Sequence, residues 1–276
     1  MILRSLNQKT ARHLPFAGFL QLARDTGCIG VEPRTDLGRP IFDGMAPAAA
    51  GALGRDHGLR LLGLSEVYPF NDWTEARAAQ VQALIDLAEA SGAETISLIP
   101  RVDGQGCEEG TRQATLRAVM RQILPLLQGR RIRALIEPIG FATSSLRDKA
   151  ELVEAIEAVG GPGRFGLVHD TFQHCIAGGG PVFPAQTGLV HISGISDPGV
   201  ALDAGQDAHR ILVDAGDRCG TLAQIAALRD GGYAGAFSFE CTKAGLAGQP
   251  GLATAIAASF AHIEAGLAAR TQDGPA

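Results

Sequence analysis

The sequence predicts an α/β fold, a single (β/α)8 TIM barrel, and three observations carry that prediction. Strand-like and helix-like segments alternate from one end of the chain to the other, the pattern of consecutive βα units. Eight such units fit into 276 residues with no linker-like stretch between them, close to the roughly 250 residues usual for a closed eight-stranded barrel. Four short apolar runs end in Glu, Asp or His: Ala134-Leu135-Ile136-Glu137, Gly166-Leu167-Val168-His169-Asp170, Gly188-Leu189-Val190-His191 and Phe237-Ser238-Phe239-Glu240. Apolar runs of that length between turn signals read as buried parallel strands. In a parallel barrel the C-terminal ends of the strands all open onto one mouth.

Residues 2–7 are predicted as strand one. A helix at 15–26 stops at Gly27, and strand two occupies 28–32. Helix two, 47–57, ends at Gly58, and strand three follows at 59–64. The third helix is long, 73–91, with Gly92 behind it as a left-handed stop. Strand four spans 95–99, helix four 108–128 and strand five 132–136. Helix five, 145–159, runs into Gly160-Gly161-Pro162-Gly163, a cluster that breaks regular structure. Strand six is 165–169 and strand seven 189–192. A helix at 221–230 is closed by Gly231-Gly232, strand eight is 236–239, and the last helix is 252–269. The longest irregular stretches, Gly178-Gly179-Gly180-Pro181 and residues 194–220, follow strands that end in candidate ligands, so they are expected over the mouth. The barrel is expected to take up residues 1–270, leaving the polar residues 271–276 as a frayed tail.

Bulk properties narrow the function. The chain is 46% hydrophobic and 19% charged, enough for a sizeable core and against long disorder. Its net charge is −5 and it has no lysine- or arginine-rich block, so nothing matches a phosphate backbone and no nucleic-acid partner is expected. No run approaches the roughly 18 apolar residues of a membrane span, and the first residues lack a signal-peptide pattern. Five scattered cysteines, with no Cys-x-x-Cys, point to reduced thiols in a cytoplasm.

A lone Glu at a strand end is usually a solvated loop residue. Four polar ends on strands five to eight, neighbours round the barrel, are a different matter. Glu137, Asp170, His191 and Glu240 together make a divalent-metal site of three carboxylates and one imidazole nitrogen. Strand parity agrees. If Glu240 points inward, so does Ser238, while Phe237 and Phe239 face the helices. If His191 points inward, Val190 and Ile192 face outward. If Asp170 points inward, so do Val168 and Gly166, and His169 turns away. Such an oxygen-rich site suits Mn²⁺, Zn²⁺, Co²⁺ or Mg²⁺, with Mn²⁺ favoured. Three carboxylates around a divalent ion keep a residual negative charge, which favours a neutral sugar or polyol ketone as the small-molecule partner.

Glu137-Pro138-Ile139-Gly140, His169-Asp170-Thr171-Phe172-Gln173-His174, His191-Ile192-Ser193-Gly194 and Phe239-Glu240 resemble the sugar isomerase/epimerase superfamily with a xylose-isomerase-like barrel. Within it the motifs are most similar to those of the inosose (2-keto-myo-inositol) isomerases. The resemblance begins at Leu6-Asn7, includes Val31-Glu32-Pro33-Arg34-Thr35 and covers nearly the whole chain. It implies that Glu137, Asp170, His191 and Glu240 bind one metal ion. It also implies that a carbonyl moves between adjacent carbons through an enediolate, with Glu137 and Glu240 as the catalytic carboxylates on opposite sides of the substrate. The same intermediate leads to an epimer or a dehydrated product, so a ketose 3-epimerase and a keto-polyol dehydratase stay open. A non-catalytic metal- or sugar-binding barrel is the reading from another class.

Further substrate contacts are expected from the same resemblance. The family's His three residues after the strand-six Asp is Gln173 here, followed by His174. Gln hydrogen-bonds but does not titrate near neutral pH, and either residue could reach the substrate. Arg210, in Asp207-Ala208-His209-Arg210, resembles the family's arginine segment and is expected on a substrate oxygen, its alternative being a salt bridge with Asp207 or Asp214. Glu66, Asn71 and Trp73 follow strand three as candidate wall residues, with core packing the rival reading for Trp73. Glu32 and Arg34 share parity at the end of strand two and are expected to pair with each other. A homo-oligomer is left open.

Overall fold

The chain alternates strand and helix as its glycine stops require, in a computed structural model that describes residues 1–272, with side chains as far as Arg270. In order, the elements are β1 (Leu3–Asn7), α1 (Phe16–Asp25), β2 (Gly30–Glu32), α2 (Pro47–Asp56), β3 (Arg60–Leu61) and β4 (Leu64–Val67). They continue with α3 (Glu75–Ser91), β5 (Thr95–Leu98), α4 (Arg112–Leu127), β6 (Arg133–Ile136), α5 (Lys149–Ala158) and β7 (Phe165–Asp170). The last are α6 (Thr171–Ile176), β8 (Thr187–Ile192), α7 (Thr221–Asp230), β9 (Ala236–Phe239) and α8 (Leu252–Gln272).

Nine strand segments make eight staves. The sheet runs β3-β2-β1-β9-β8-β7-β6-β5-β4, all parallel, and its two ends are consecutive pieces of one predicted strand. The break falls at Leu62-Gly63. Leu62 N donates to Val31 O at 2.9 Å on the strand-two side, while Thr95 Oγ1 donates to Leu62 O at 2.8 Å on the other. A Cβ at position 63 would stand 2.6 Å from Thr95 Oγ1, so glycine lets the stave approach β5 without displacing that hydroxyl. A parallel bridge between Arg34 and Ser65 closes the ring. Strand three therefore extends past its predicted end at 64 to Val67.

Two cores follow from strand parity. Leu135, Val168, Leu189 and Ala236 form a small apolar plug inside the barrel, with Leu62. The alternate residues Ile136, Val190, Ile192, Phe237 and Phe239 belong to the main core between barrel and helices. One or two pairs above the plug on the same inward rows come Glu137, Asp170, His191 and Glu240.

Helix ends are set by caps. Thr74 accepts from Arg77 N and starts α3 two residues later than predicted, and Gly92 stops it at φ 74°. Ser144 and Ser145 bond to loop carbonyls, and Asp148 caps α5, which shortens the predicted 145–159 helix. The six-residue α6, absent from the sequence prediction, is capped by Asp170, whose Oδ1 accepts from Gln173 N at 2.7 Å. Helix α8 runs to Gln272, past the predicted end, and residues 273–276 of the expected tail lie outside the described residues. Its Leu252–Arg270 stretch, mean hydropathy 1.4, is long and apolar enough to cross a membrane by length and composition only, although polar residues interrupt it. Here Ile256, Phe260, Ile263 and Leu267 face the barrel core instead.

Candidate metal centre

The four predicted ligands come together. One ligand atom from each of Glu137, Asp170, His191 and Glu240 lies within 4.8 Å of every other, and all four residues are buried. Register places them: Asp170 pairs with His191 across β7 and β8, and His191 with Ser238, two residues before Glu240. His191 Nδ1 stands 3.3 Å from Glu240 Oε2, 3.5 Å from Glu137 Oε2 and 3.9 Å from Asp170 Oδ2. Ligands about 2.0–2.2 Å from a common ion are themselves separated by about 3–4 Å, so these spacings fit one divalent ion.

The imidazole is oriented for that task. Its Nε2 lies 2.9 Å from Glu32 Oε2, and Glu32 is fully buried. With Nε2 turned to Glu32, Nδ1 faces the three carboxylates and has no hydrogen-bond partner there. A buried nitrogen without a partner is costly unless something binds there. Glu32 and Arg34 do not pair with each other, contrary to expectation. They share an inward row but sit at different depths: Glu32 lies under His191, and Arg34 reaches over the mouth.

Arg34 and Arg210 clamp Glu240. Arg34 Nη1 donates to Glu240 Oε1 at 2.8 Å, its Nη2 to Glu66 Oε2 at 2.5 Å, and its Nε to Asp36 Oδ1 at 2.7 Å. Arg210 Nη2 donates to Glu240 Oε2 at 2.8 Å and also to Asp170 Oδ2, while its Nε donates to Ser193 Oγ at 3.1 Å. Asp207 is only a long partner of Arg210, at 3.5 Å. The guanidinium lies 5.2 Å from the Phe172 ring centroid.

These contacts separate the two glutamates electrostatically. Burial pushes the Glu137 carboxyl up to about 7, with partial relief from His191 and further upward pressure from Glu240 and Asp170. Burial also raises Glu240, but the charges of His191, Arg210 and Arg34 outweigh it and hold that carboxyl well below the usual range. Asp170 is raised by burial against the pull of Arg210. Burial disfavours a charged His191, yet Glu32 and Glu240 overcome it and raise the ring's pKa. A divalent ion at Nδ1 takes the place of the proton that those carboxylates attract.

The centre opens on a cavity of about 210 Å³. Glu137, Glu240, Arg34, Arg210, Glu66 and Gln173 supply its polar wall, and Tyr68, Ile99, Val102, Ile139 and Phe141 its less polar side. Gln173 Oε1 accepts from Gly140 N at 2.8 Å, which fixes the amide at the rim. Three predicted contacts lie elsewhere. His174 turns from the mouth to Lys149, Nδ1 to Nζ 2.7 Å, because Gln173 takes the inward position on the first turn of α6. Asn71 ties two loops, donating to Ser145 Oγ and accepting from Arg101 N. Trp73 packs on the main core. The residues that sequence reasoning missed are the apolar wall, above all Ile139 and Phe141, and the clamp by Arg34. Parity placed Arg34 at the mouth, but no sequence signal names its partner.

Fold and site together define a parallel barrel with a cluster of three carboxylates and one imidazole, able to hold a metal ion, at the C-terminal ends of its strands. The sequence matches the model of the xylose isomerase-like TIM barrel family over residues 20–265, and the chain belongs to that family. No curated protein matches it significantly in sequence. Among solved structures, it is similar to a xylose isomerase domain containing protein from Salmonella typhimurium LT2, at 26% identity and TM-score 0.86, covering 96% of this chain and 97% of that one. It shares its fold with an IOLI protein with a binding zinc atom, at 15% identity and TM-score 0.84 over 97% and 99% of the chains. The fold of L-ribulose 3-epimerase is also shared, at 17% identity and TM-score 0.71 over 99% and 97%.

Proposed function

We propose that the protein is a metal-dependent isomerase that shifts a carbonyl between adjacent carbons of a sugar or polyol, with an inosose as substrate. The observation that carries this reading is the four-ligand cluster, closed to within 4.8 Å and opening on a small cavity with one apolar side. A divalent ion, Mn²⁺ by preference, would be held by Glu137, Asp170, His191 and Glu240 and would supply Lewis-acid polarisation of a carbonyl and its neighbouring hydroxyl. Glu240, kept ionised by two arginines, is assigned to removing the proton beside the carbonyl. Glu137, the other carboxylate on the cavity wall, is assigned to returning one at the neighbouring carbon through the oxygen not turned to the ion. Arg210 lines the cavity and holds the developing oxyanion of the substrate. Gln173 and Glu66 orient hydroxyls, and the apolar side excludes water.

The shared fold with the zinc-binding IOLI protein supports the metal. The likeness to L-ribulose 3-epimerase supports a second reading, in which the proton returns to the opposite face of the same carbon. Five scattered cysteines with no Cys-x-x-Cys support a reducing compartment. Incubating the Mn²⁺-loaded protein with inososes and ketoses in D₂O, followed by NMR, tests the proposal. Deuterium at the carbon beside the original carbonyl, with a shifted carbonyl, is the expected result. Deuterium with inverted configuration at one carbon favours the epimerase, and loss of a β-hydroxyl a dehydratase. Bound metal with no exchange on any substrate refutes an enzymatic role.

A further inference from the structure

A second cavity, of about 320 Å³, lies across the loop between β6 and α5 from the metal centre. Its walls are the start of α5, the glycine turn after α6, and Arg112 of α4. No metal ligand lines it, nor does Arg34 or Arg210. Its size falls in the range of small-molecule sites.

Lys149 is the residue that needs explaining. It is 7% exposed, lines this cavity, and has no carboxylate partner among the described residues. Its Nζ meets only Nδ1 of His174, itself buried. Burial and the neighbouring ammonium push His174 down to about 4, so the ring is neutral and accepts the bond without returning charge. Asp170, Asp148 and Glu137 act on Lys149 only from beyond ion-pair distance. A second cation faces the same space. Arg147 donates through Nε to Gly140 O at 3.0 Å, and the rest of its fork has no partner among the described residues. Of the carboxylates on the wall, Glu151 is paired with Arg112, and Asp148 accepts from Ala150 N at 2.7 Å and keeps its charge at the rim, without an ion-pair contact to Lys149.

Buried charges are paired, because an isolated ammonium in a low-dielectric setting is costly. Here the missing partner has a cavity in front of it. We propose that this cavity binds a small phosphate, free or as a monoester, with Lys149 and Arg147 as its cationic contacts. Lys149 supplies N–H donors from the floor, and Arg147 supplies the planar fork that suits phosphate oxygens. The space beyond the two cations accommodates the organic part of a small monoester.

The test reads binding without turnover, so it stands apart from the isomerase reading. Inorganic phosphate is titrated calorimetrically into the metal-loaded protein, and thermal unfolding is followed with and without it. Saturable binding and a phosphate-dependent rise in Tm are expected for the native chain. Lys149→Met removes the uncompensated charge, so it should unfold at or above the native temperature while losing the phosphate-dependent shift. Arg147→Ala, at an exposed position, should weaken phosphate binding about tenfold, the usual worth of a charge-assisted hydrogen bond. If Lys149→Met does not fold, Arg147→Ala decides alone. No saturable binding to the native chain overturns the proposal. So does undiminished binding in the variants, which would place the phosphate at the metal centre. Phosphate that competes with a ketose would identify the bound group as part of a phosphorylated substrate, and phosphate that binds without competing, as a separate effector.

Discussion

The strands on one side of the barrel, β6 to β9, lead into the four candidate metal ligands, while β1 to β5 lead into none of them. The ligand side has continuous strands, with one register shift between Leu167 and Val168, and apolar runs that stop at Glu137, Asp170, His191 and Glu240. The other side has a stave broken at Leu62-Gly63 and contributes Asn7, Glu32, Arg34 and Glu66. Those four hold ligands, or each other, from behind: Glu32 aims His191, Arg34 fixes one oxygen of Glu240, and Asn7 Oδ1 and Glu66 brace Arg34. One side therefore provides the atoms that would meet an ion, and the other side sets their direction. Damage to the first should appear in the chemistry, and damage to the second in how tightly and in what geometry the ion is held.

The largest effect should come from the ligand side. Glu137→Gln and Glu240→Gln keep the shape and one coordinating oxygen but lose the basic site. Each should lower kcat by roughly 10²–10⁴, the usual worth of a positioned acid or base. Metal content measured on the same samples separates lost chemistry from lost ion. A metal-replete Gln variant with full activity would remove that Glu from proton transfer.

A middle-sized effect should come from the supporting side. Glu32→Gln should weaken Mn²⁺ binding about 10–100-fold, as loss of a carboxylate behind a ligating histidine does. Calorimetric titration of the metal reads this directly. The same titration repeated across pH should show affinity falling as pH drops through about 7, because the raised Glu137 carboxyl then takes up a proton that competes with the ion. Unchanged affinity in Glu32→Gln would reduce the supporting side to scaffold.

The smallest of the three concerns Arg210, which follows β8 but serves as a clamp. Arg210→Ala should lower kcat/KM about tenfold, or about 1.4 kcal/mol of transition-state stabilisation. A change confined to metal affinity would move Arg210 functionally to the supporting side.

The difference between the two sides also marks how far the sequence could be read. Each ligand strand is a short apolar run ending in a residue of one chemical kind, and period-2 parity puts that residue on the same inward row as Leu135, Val168, Leu189 or Ala236. That is local information, so the barrel and the convergence of these four side chains at its mouth were legible from residues alone. Gln173 and Glu66 reached the mouth as expected. His174, Asn71 and Trp73 did not, because one residue along a helix turns a side chain by about 100° and loops choose their own partners.

Contacts between distant strands were decided only by tertiary structure. Glu32 and Arg34 share parity, and sequence reasoning paired them with each other. In the folded barrel they go to His191 and Glu240, 159 and 206 residues away. Parity tells which way a side chain points but not its depth along the barrel axis, which depends on the stagger between strands that closure imposes. The buried ammonium of Lys149, without an ion-pair contact among the described residues, was equally invisible, since burial is a property of everything packed around a residue.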